Sequence, residues 1–552
     1  MSSLHISRYE RYLPIVVFAL IIISRIIAIV DGRDPGFDQA MLMANFPLES
    51  LHSYFQPLPL FEQATALGSV ALLDLVSNVF GNEGLTRIHA IRIWAALAAC
   101  LGYFILYHML RQSFSIWEAT LALTLIAAPN EALLFTTNPK NYVNAFLVSC
   151  LLMWVGQAYL KNPDGRRVAA FLGVTLLTSI FAFTAPFIVA ATGGGMLVAT
   201  LSRYPRQEWT SPQARRDLLR LTVLGLMAVI CCLLFFLYFT RPITVLDQMA
   251  YANRYDAVFL TIASPFSDHN LYAGKNILRV FYLMVAPAYL NELIFSLGLL
   301  QYITIIHLIC LLISLIGFLT LWGRSKFLAG GLSAGILTIL VANTAHILPI
   351  ASVRHFLFLT PFVVPCFALG VVRVVEFILA RLNAQAFVPV VLSVIMLAIC
   401  GAAVLRSGDL KNAEVSEHLA RIDEFPAPLW IYYGAQPSVR TLRSDLILNP
   451  NAKVIGLLPH ESTTSSWMLA ARESQNRLTS EEYFKQTATA LAGQEPVWLL
   501  FTHYLSETRV PNGLDRFIGI AEADGRVCQT QSAPGSLLAL CAMPDDLPTN
   551  WQ

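Results

Sequence analysis

Charge is scarce in this chain. Asp, Glu, Lys and Arg make up 13% of its 552 residues, against about a quarter in soluble domains. A soluble globular fold for the whole chain is thereby excluded, and with 56% hydrophobic residues and a mean hydropathy of +0.60 the alternative is a membrane protein. Other absences narrow the chemistry. No Walker A pattern, HExxH helix or zinc-spaced Cys/His cluster occurs, which argues against a P-loop NTPase and the common zinc hydrolases. No pair of short, Gly/Pro-broken spans recurs in two halves, as many secondary transporters would show. No cleavage pattern follows the first apolar run, so that run is expected to stay as an anchor.

Apolar runs of about 20 residues, long enough to cross a ~30 Å hydrocarbon core, recur from residue 13 to residue 405. Eleven spans are predicted: 13–30, 88–110, 116–135, 141–160, 168–185, 186–202, 219–240, 301–322, 327–348, 354–378 and 386–405. The fold class is therefore a polytopic α-helical membrane protein. A membrane domain occupies 1–405 and a soluble C-terminal α/β domain 406–552. Alternate loops are short and basic, holding Arg8/Arg11, Arg111, Lys161/Arg166/Arg167, Arg203/Arg206/Arg215/Arg216, Arg324/Lys326 and Arg373/Arg381. The positive-inside rule makes these cytoplasmic. The N-terminus is then inside, and the loops 31–87 and 241–300 and the C-terminal domain lie outside, as in an inner-membrane protein with a periplasmic or extracellular tail. Leu60–Phe80 is apolar but contains Glu62 and Asp74, and reads as a helix lying on the outer surface. The stretch 276–300 is read as re-entrant or interfacial.

Seven of nine cysteines fall in spans, where the thiol behaves as a small apolar group. Cys528 and Cys541, in the tail, fit a disulfide in an oxidising compartment; the bland alternative is a pair of core thiols. The tail offers strands at 429–433, 453–458 and 497–502 and a final hairpin from 526–528 to 537–541. Helical stretches are read at 414–424, 467–477 and 480–492. It is mildly acidic, which argues against nucleic acid as a partner. Its expected task is to cap or support a site in the membrane domain.

Polar residues at the outer ends of spans are the places to look for chemistry, because charge in a membrane is expensive. Asp31, Asp34 and Asp38, with Gln39, follow the first span. A carboxylate there can accept a proton from an attacking hydroxyl or amine, Asp38 being the best placed. The competing reading is a solvated turn with Asp38 as the N-cap of a helix from Ala40. Asn138-Pro-Lys140-Asn-Tyr142 puts a cation at the head of a span; a snorkelling lysine beside an interfacial tyrosine is the alternative. His346 and Ser352-Val-Arg354-His355-Phe356 suit phosphate, which a guanidinium grips through paired donors, or serve as anchors. The loop 241–300 carries Arg241, Arg254, Asp256, Asp268, His269, Lys275 and Arg279 among many aromatics; a loop of this length is often functional, and a solvated loop with interfacial aromatics is the alternative.

In their order along the chain these elements resemble the GT-C superfamily of membrane glycosyltransferases, in the branch of protein O-mannosyltransferases and aminoarabinose (lipid A) transferases, glycosyltransferase family 39 and its bacterial relatives. The resemblance rests on Asp38-Gln39, on Gln56-Pro-Leu-Pro-Leu-Phe61 through Val79-Phe-Gly81, and on Arg92 in Ala90-Ile-Arg92-Ile-Trp. It continues in Lys140-Asn-Tyr142, in Arg354-His355 ahead of Pro361 and Pro365, and in three tail segments: Trp430 to Pro437, Val497 to His503 and Gly535-Ser-Leu-Leu-Ala-Leu. The chain departs from the family pattern at Gln39, where Glu is usual, at His355, where Tyr is usual, and near Asn138, where an acidic residue is usual. The resemblance implies a polyprenyl-phosphate-linked sugar as donor and a lipid, glycan or protein of the cell envelope as acceptor. It implies Asp38 as base in an inverting transfer, and Lys140, Arg354 and His355 as the donor-phosphate site. Asp34, Gln39, Arg92, Tyr142, His346 and Lys275 are supporting candidates. It implies no resident cofactor and leaves a divalent metal open. A lipid-linked sugar flippase and a non-catalytic assembly subunit on the same scaffold are the rival readings.

Overall fold

The structure is a computed structural model. It describes residues 2–30, 34–35, 37–56, 58, 60, 65–81, 84–137, 140, 142–240, 259–260, 267–286, 290–350, 352–408, 414–432, 435–449, 452–455, 496–502, 511–523 and 525–548.

Inside hydrocarbon every backbone N–H and C=O must be satisfied within the protein, so apolar runs become helices. Among the described residues eight helical segments are long and apolar enough to span: Arg11–Val30, Leu85–Leu110, Tyr142–Lys161, Pro212–Thr240, Ile303–Arg324, Lys326–Thr344, Val353–Arg381 and Gln385–Gly408. This is a polytopic helical membrane protein with a C-terminal sheet. The other three predicted spans are shorter helices. The run 116–135 divides into α5 (Ile116–Ala127) and α6 (Asn130–Phe135), because Pro129 lacks the N–H that would continue α5. The next two, α8 (Gly165–Phe181) and α9 (Ala185–Leu201), have 17 residues each.

The remaining helices frame these. The first span is α1 (Ser2–Val30), followed by the short α2 (Phe37–Met43) and by α3 (Leu67–Phe80). At 14 residues α3 is about 21 Å long, too short to cross. Next come α4 (Leu85–Leu110), α7 (Tyr142–Lys161) and α10 (Pro212–Phe235). The stretch 276–300, read as re-entrant or interfacial, takes in only the second part of α11 (Asp268–Val285) together with α12 (Leu290–Ser296). Then follow α13 (Ile303–Arg324), α14 (Lys326–Thr344), α15 (Thr360–Arg381) and α16 (Val388–Gly408).

Helices α9 and α14 pack backbone to backbone. A Cβ on Gly194 would strike Ala334, and one on Gly195 would strike the Phe327 carbonyl. Gly194 and Gly195 are therefore the packing seam between the two helices. One apolar core runs through the bundle.

In the tail, β1 (Leu429–Tyr432), β2 (Lys453–Ile455), β3 (Val497–Thr502), β4 (Val527–Ala533) and β5 (Ser536–Ala542) form a sheet of order β2-β1-β3-β5-β4. β1 runs parallel to β2 and β3, and β5 antiparallel to β3 and β4. Every residue of β3 is buried, as expected for a strand covered on both faces. Cys528 and Cys541 lie opposite each other on β4 and β5 and are joined by a disulfide. Helices α17 (Ser416–Ile422), α18 (Gln436–Leu442), α19 (Ser444–Leu448) and α20 (Pro511–Glu522) accompany the sheet. Of the expected helical stretches, α17 falls within 414–424. Residues 467–477 and 480–492 lie outside the described residues. The sheet core is continuous with the membrane domain, since Ile88 at the head of α4 packs with Val415, Leu419, Ile431 and Leu540.

Candidate functional site

Two groups of residues at the tail-bearing end of the bundle build the site. The first lies between α1 and α4. Asp34 is fully buried. Its Oδ2 accepts from the backbone amides of Val415 and Ser416, the latter at 2.6 Å. Its own amide donates to Glu414 Oε2 at 3.2 Å, and its carbonyl accepts from Arg92 Nη2 at 3.1 Å. Burial pushes the Asp34 carboxyl above its usual range, while the amides of Ser416 and Val415 and the charge of Arg92 pull it back. Asp34 and Arg92, both expected to support the site, thus hold the chain in place. Asp31 lies outside the described residues.

Asp38 is the second residue of α2, inside the first turn. A helix starting at Phe37 removes the reading of Asp38 as the N-cap of a helix from Ala40. Its side chain lies outside the described part. Gln39 beside it is buried, and α18 of the tail packs along α2. Thr441 on α18 donates through Oγ1 to the Ala40 carbonyl at 2.9 Å. Arg87, a buried residue of α4, donates to the carbonyls of Phe46 at 2.9 Å and Thr441 at 3.1 Å. Asp74, whose charge weighed against a span at Leu60–Phe80, has a structural task. It accepts from the Leu48 amide at 2.7 Å and from Tyr54 at 2.5 Å; burial and that bond push the Tyr54 phenol up to about 12.

The second group lines a cavity of about 1000 Å³ between α7, α8, α9, α10 and α14, the upper end of the range for a ligand pocket. Its walls are apolar: Phe171, Phe187, Val189, Leu221, Leu224, Ala228, Phe236 and Val341 among others. Polar groups gather where α7 begins and α14 ends: Tyr142, Thr184, His346, Arg354 and His355. Arg354 and His355 stand on a 3-10 turn, Val353–Leu359, that leads into α15. The His355 ring is 6.3 Å from that of Tyr142, and the His346 ring stacks on Phe259 at 4.6 Å. Four of the sequence candidates therefore share one cavity wall. Lys140 is half-buried just ahead of α7 and is not among the lining residues. Lys275 is exposed on α11 and is not brought to the cavity. Arg241, Arg254 and Asp256 lie outside the described residues, and so does Asn138.

The two groups are joined through α4 and α7. Trp94 lies two residues beyond Arg92 on α4. Trp94 Nε1 donates to Asn144 Oδ1 at 3.2 Å, and Asn144 donates to Ser69 Oγ of α3 at 3.1 Å. Asn144 lies two residues beyond Tyr142. Among the described residues no group of three His, Cys, Asp or Glu side chains is placed to hold a metal.

Sequence reasoning missed Arg87, Thr441 and Arg25. Arg25 sits inside the first span, 2% exposed, and donates to Ser24 Oγ at 2.9 Å, Tyr103 Oη at 3.0 Å and the Ala127 carbonyl at 2.6 Å. A lone arginine in an apolar run was a legible signal for it. Thr441 carried none.

No family model matches the chain, and no curated protein matches it. Solved structures do. The chain is similar to the archaeal oligosaccharyltransferase AglB from Archaeoglobus fulgidus, solved with an inhibitory peptide and a dolichol-phosphate. The identity is 13%, the TM-score 0.48, and 98% of this chain and 75% of that one are covered. It is similar to ArnT from Cupriavidus metallidurans bound to undecaprenyl phosphate, at 12% identity and a TM-score of 0.46, covering 97% of this chain and 98% of that one. At these values the likeness carries no residue-by-residue correspondence.

Proposed function

We propose that this chain is a membrane glycosyltransferase that moves a sugar from a polyprenyl-phosphate carrier to an acceptor hydroxyl or amine of the cell envelope. The observation that carries the reading is the pairing of an apolar cavity with a cationic rim. An isoprenoid tail fits walls such as Phe187 and Leu224, and its phosphate fits Arg354 and His355 at the polar end. A guanidinium grips phosphate through paired donors. Lys140, at the head of the helix that contributes Tyr142, supplies a second cation to the same end.

In the proposed reaction Asp38 takes the proton of the acceptor O–H or N–H. The freed lone pair attacks the anomeric carbon. The bond from that carbon to the phosphate oxygen breaks, and its electrons leave with the phosphate, so the configuration inverts. Lys140, Arg354 and His355 stabilise the charge that grows on the leaving phosphate. The basic loops 203–216 and 324–326 put the opposite end of the bundle in the cytoplasm. The reaction then runs on the outer face, where the disulfide of Cys528 with Cys541 also fits. Lipid-linked donors are available there and nucleotide sugars are not.

The test uses purified full-length protein in lipid nanodiscs or liposomes, with radiolabelled polyprenyl-phosphate sugars and cell-envelope acceptors. Label moving to an acceptor is the expected result. Label crossing the bilayer unchanged makes the protein a flippase, and neither outcome makes it a scaffold. Asp38→Asn should lower transfer by about 10²–10⁴-fold and leave undecaprenyl phosphate binding intact. Arg354→Ala should weaken that binding by about tenfold or more, as loss of a charged hydrogen-bond donor does. Unchanged binding would remove Arg354 from the phosphate site.

A further inference from the structure

We infer that the C-terminal domain is the clamp that positions the α2 segment, with Asp34 and Thr441 as its positioning residues. As a statement about catalysis this rests on the reading of Asp38 as the base; as a statement about the fold it does not.

The contacts grip Asp38 from both sides in sequence. Four residues before it, Asp34 takes the backbone amides of Val415 and Ser416 into its buried carboxylate. Two residues after it, the Ala40 carbonyl takes the Thr441 hydroxyl at 2.9 Å. Both partners belong to the tail, some 400 residues away in sequence. Arg87 closes the arrangement by joining the carbonyl of Thr441 to that of Phe46, just past the end of α2.

Physical chemistry makes these contacts more than incidental. A seven-residue helix is far below the length at which a helix holds itself together in water. Only tertiary contacts keep α2 in place: Thr441 of the tail bonds to α2 itself, and Arg92 and Arg87 of α4 bond to Asp34 and Phe46 on either side of it. A base displaced by about 1 Å from its proton loses much of its effect. The clamp therefore acts on the turnover step. Arg354 and His355, on the turn Val353–Leu359, are held by other elements, so donor binding should not depend on it.

Hydrogen exchange on the full-length protein in nanodiscs tests this. Thr441→Val should speed exchange of the α2 amides by about tenfold, the expected consequence of one lost buried hydrogen bond. Thr441→Ser, which keeps the hydroxyl, should restore protection. Asp34→Ala should expose the Val415 and Ser416 amides and loosen α2 as well. Amides of α9 and α14 serve as the control for global folding and should not change. Undecaprenyl phosphate affinity, read by native mass spectrometry, should stay within twofold of wild type in the Thr441 variants, while turnover of the radiolabelled donor falls in Thr441→Val alone. Unaltered α2 exchange in both Thr441→Val and Asp34→Ala overturns the clamp. A loosened α2 with undiminished transfer leaves the clamp standing and removes Asp38 as the base.

Discussion

Two polar clusters at opposite ends of the membrane bundle use arginine differently. At the end away from the sheet, Arg324 and Arg373 converge on Glu118, although Arg111, Arg167 and Arg203 at that end also donate to backbone carbonyls. Arg324 Nη1 lies 2.6 Å from the carboxylate and Arg373 Nη2 3.8 Å, and Glu376 pairs with Arg373. Glu118 also closes a capping box with Ser115 at the start of α5. At the sheet end, Arg25 meets hydroxyls and a carbonyl, and its guanidinium carbon lies 5.8 Å from the centre of the Tyr103 ring. Arg87 and Arg92 reach backbone carbonyls of the first loop and of the tail. A guanidinium on a carboxylate cancels charge and closes a surface. One bound to carbonyls fixes chain segments and keeps its charge. The first suits the end that only has to hold helices together. The second suits the end where, on the proposed function, a phosphate has to be attracted.

The sharpest way to break this contrast is to remove its neutral side. Glu118 is almost fully buried, whereas Arg324 and Arg373 are about one-third exposed. Breaking a buried pair by deleting one partner costs about 3–5 kcal/mol. Partial solvation of the arginines lowers the expectation for Glu118→Ala to about 2–3 kcal/mol, screened as exposed pairs are. Unfolding in mixed detergent micelles measures it. A loss below about 0.5 kcal/mol would put the cluster among surface pairs and dissolve the contrast.

Much of the first face was legible in the sequence, and much of the second was not. Basic loops and apolar runs reveal which helix ends carry charge, because hydropathy and length are local properties. The runs became helices at nearly the predicted bounds, and β3 matches the predicted 497–502. The break at Pro129 was equally local, yet the apolar run 116–135 was read as one span. Arg354, His355, Tyr142 and His346 were chosen separately, and they line one cavity. That they would share it depends on how α7, α9 and α14 pack, which no single segment encodes. Asp34 illustrates the harder case. Its position at a span exit suggested chemistry, but its partners are the backbone amides of Val415 and Ser416. Any residue but proline supplies an amide, so such a partner leaves no trace in composition or spacing. Thr441 is illegible for the same reason, since it meets the carbonyl of an alanine.

Arg25 probes the charged side of the contrast. Its hydrogen bonds to Tyr103 and to the Ala127 carbonyl tie α1 to α4 and to the end of α5, just before the Pro129 break. Arg25→Met keeps the length of the side chain and removes the donors. It leaves the Ala127 carbonyl and the Tyr103 hydroxyl short of a partner, an expected loss of about 1–3 kcal/mol. Tyr103→Phe alone should cost about 1 kcal/mol. The double mutant should lose less than the sum of the two singles, because residues in contact couple. Simple additivity would mean that Arg25 acts on its neighbours only through packing.

The smallest expected effect is a pH dependence confined to the sheet end. His418 on α17 is fully buried, and burial holds its imidazole below the ordinary value of 6.5, against the opposing pull of Glu417 and Asp34. As pH falls, the unfolded chain takes up this proton before the folded one does. Stability present above 6.5 is therefore lost as pH drops through the lowered value. Asp34 acts in the opposite sense. Its carboxyl is raised above 3.8, so the folded chain takes up that proton first, and the clamp gains stability as pH falls through the raised value. The two effects have opposite signs: the histidine loses stability as pH falls below 6.5, and the carboxyl gains it as pH falls through its raised value. His418→Gln should remove the loss of Tm on the acid side of 6.5, while Asp34→Asn should remove the opposing gain on acidification. An unchanged profile in His418→Gln would show that its neighbours already offset the burial, and would leave the sheet end, like the Glu118 end, to be distinguished by its arginines alone.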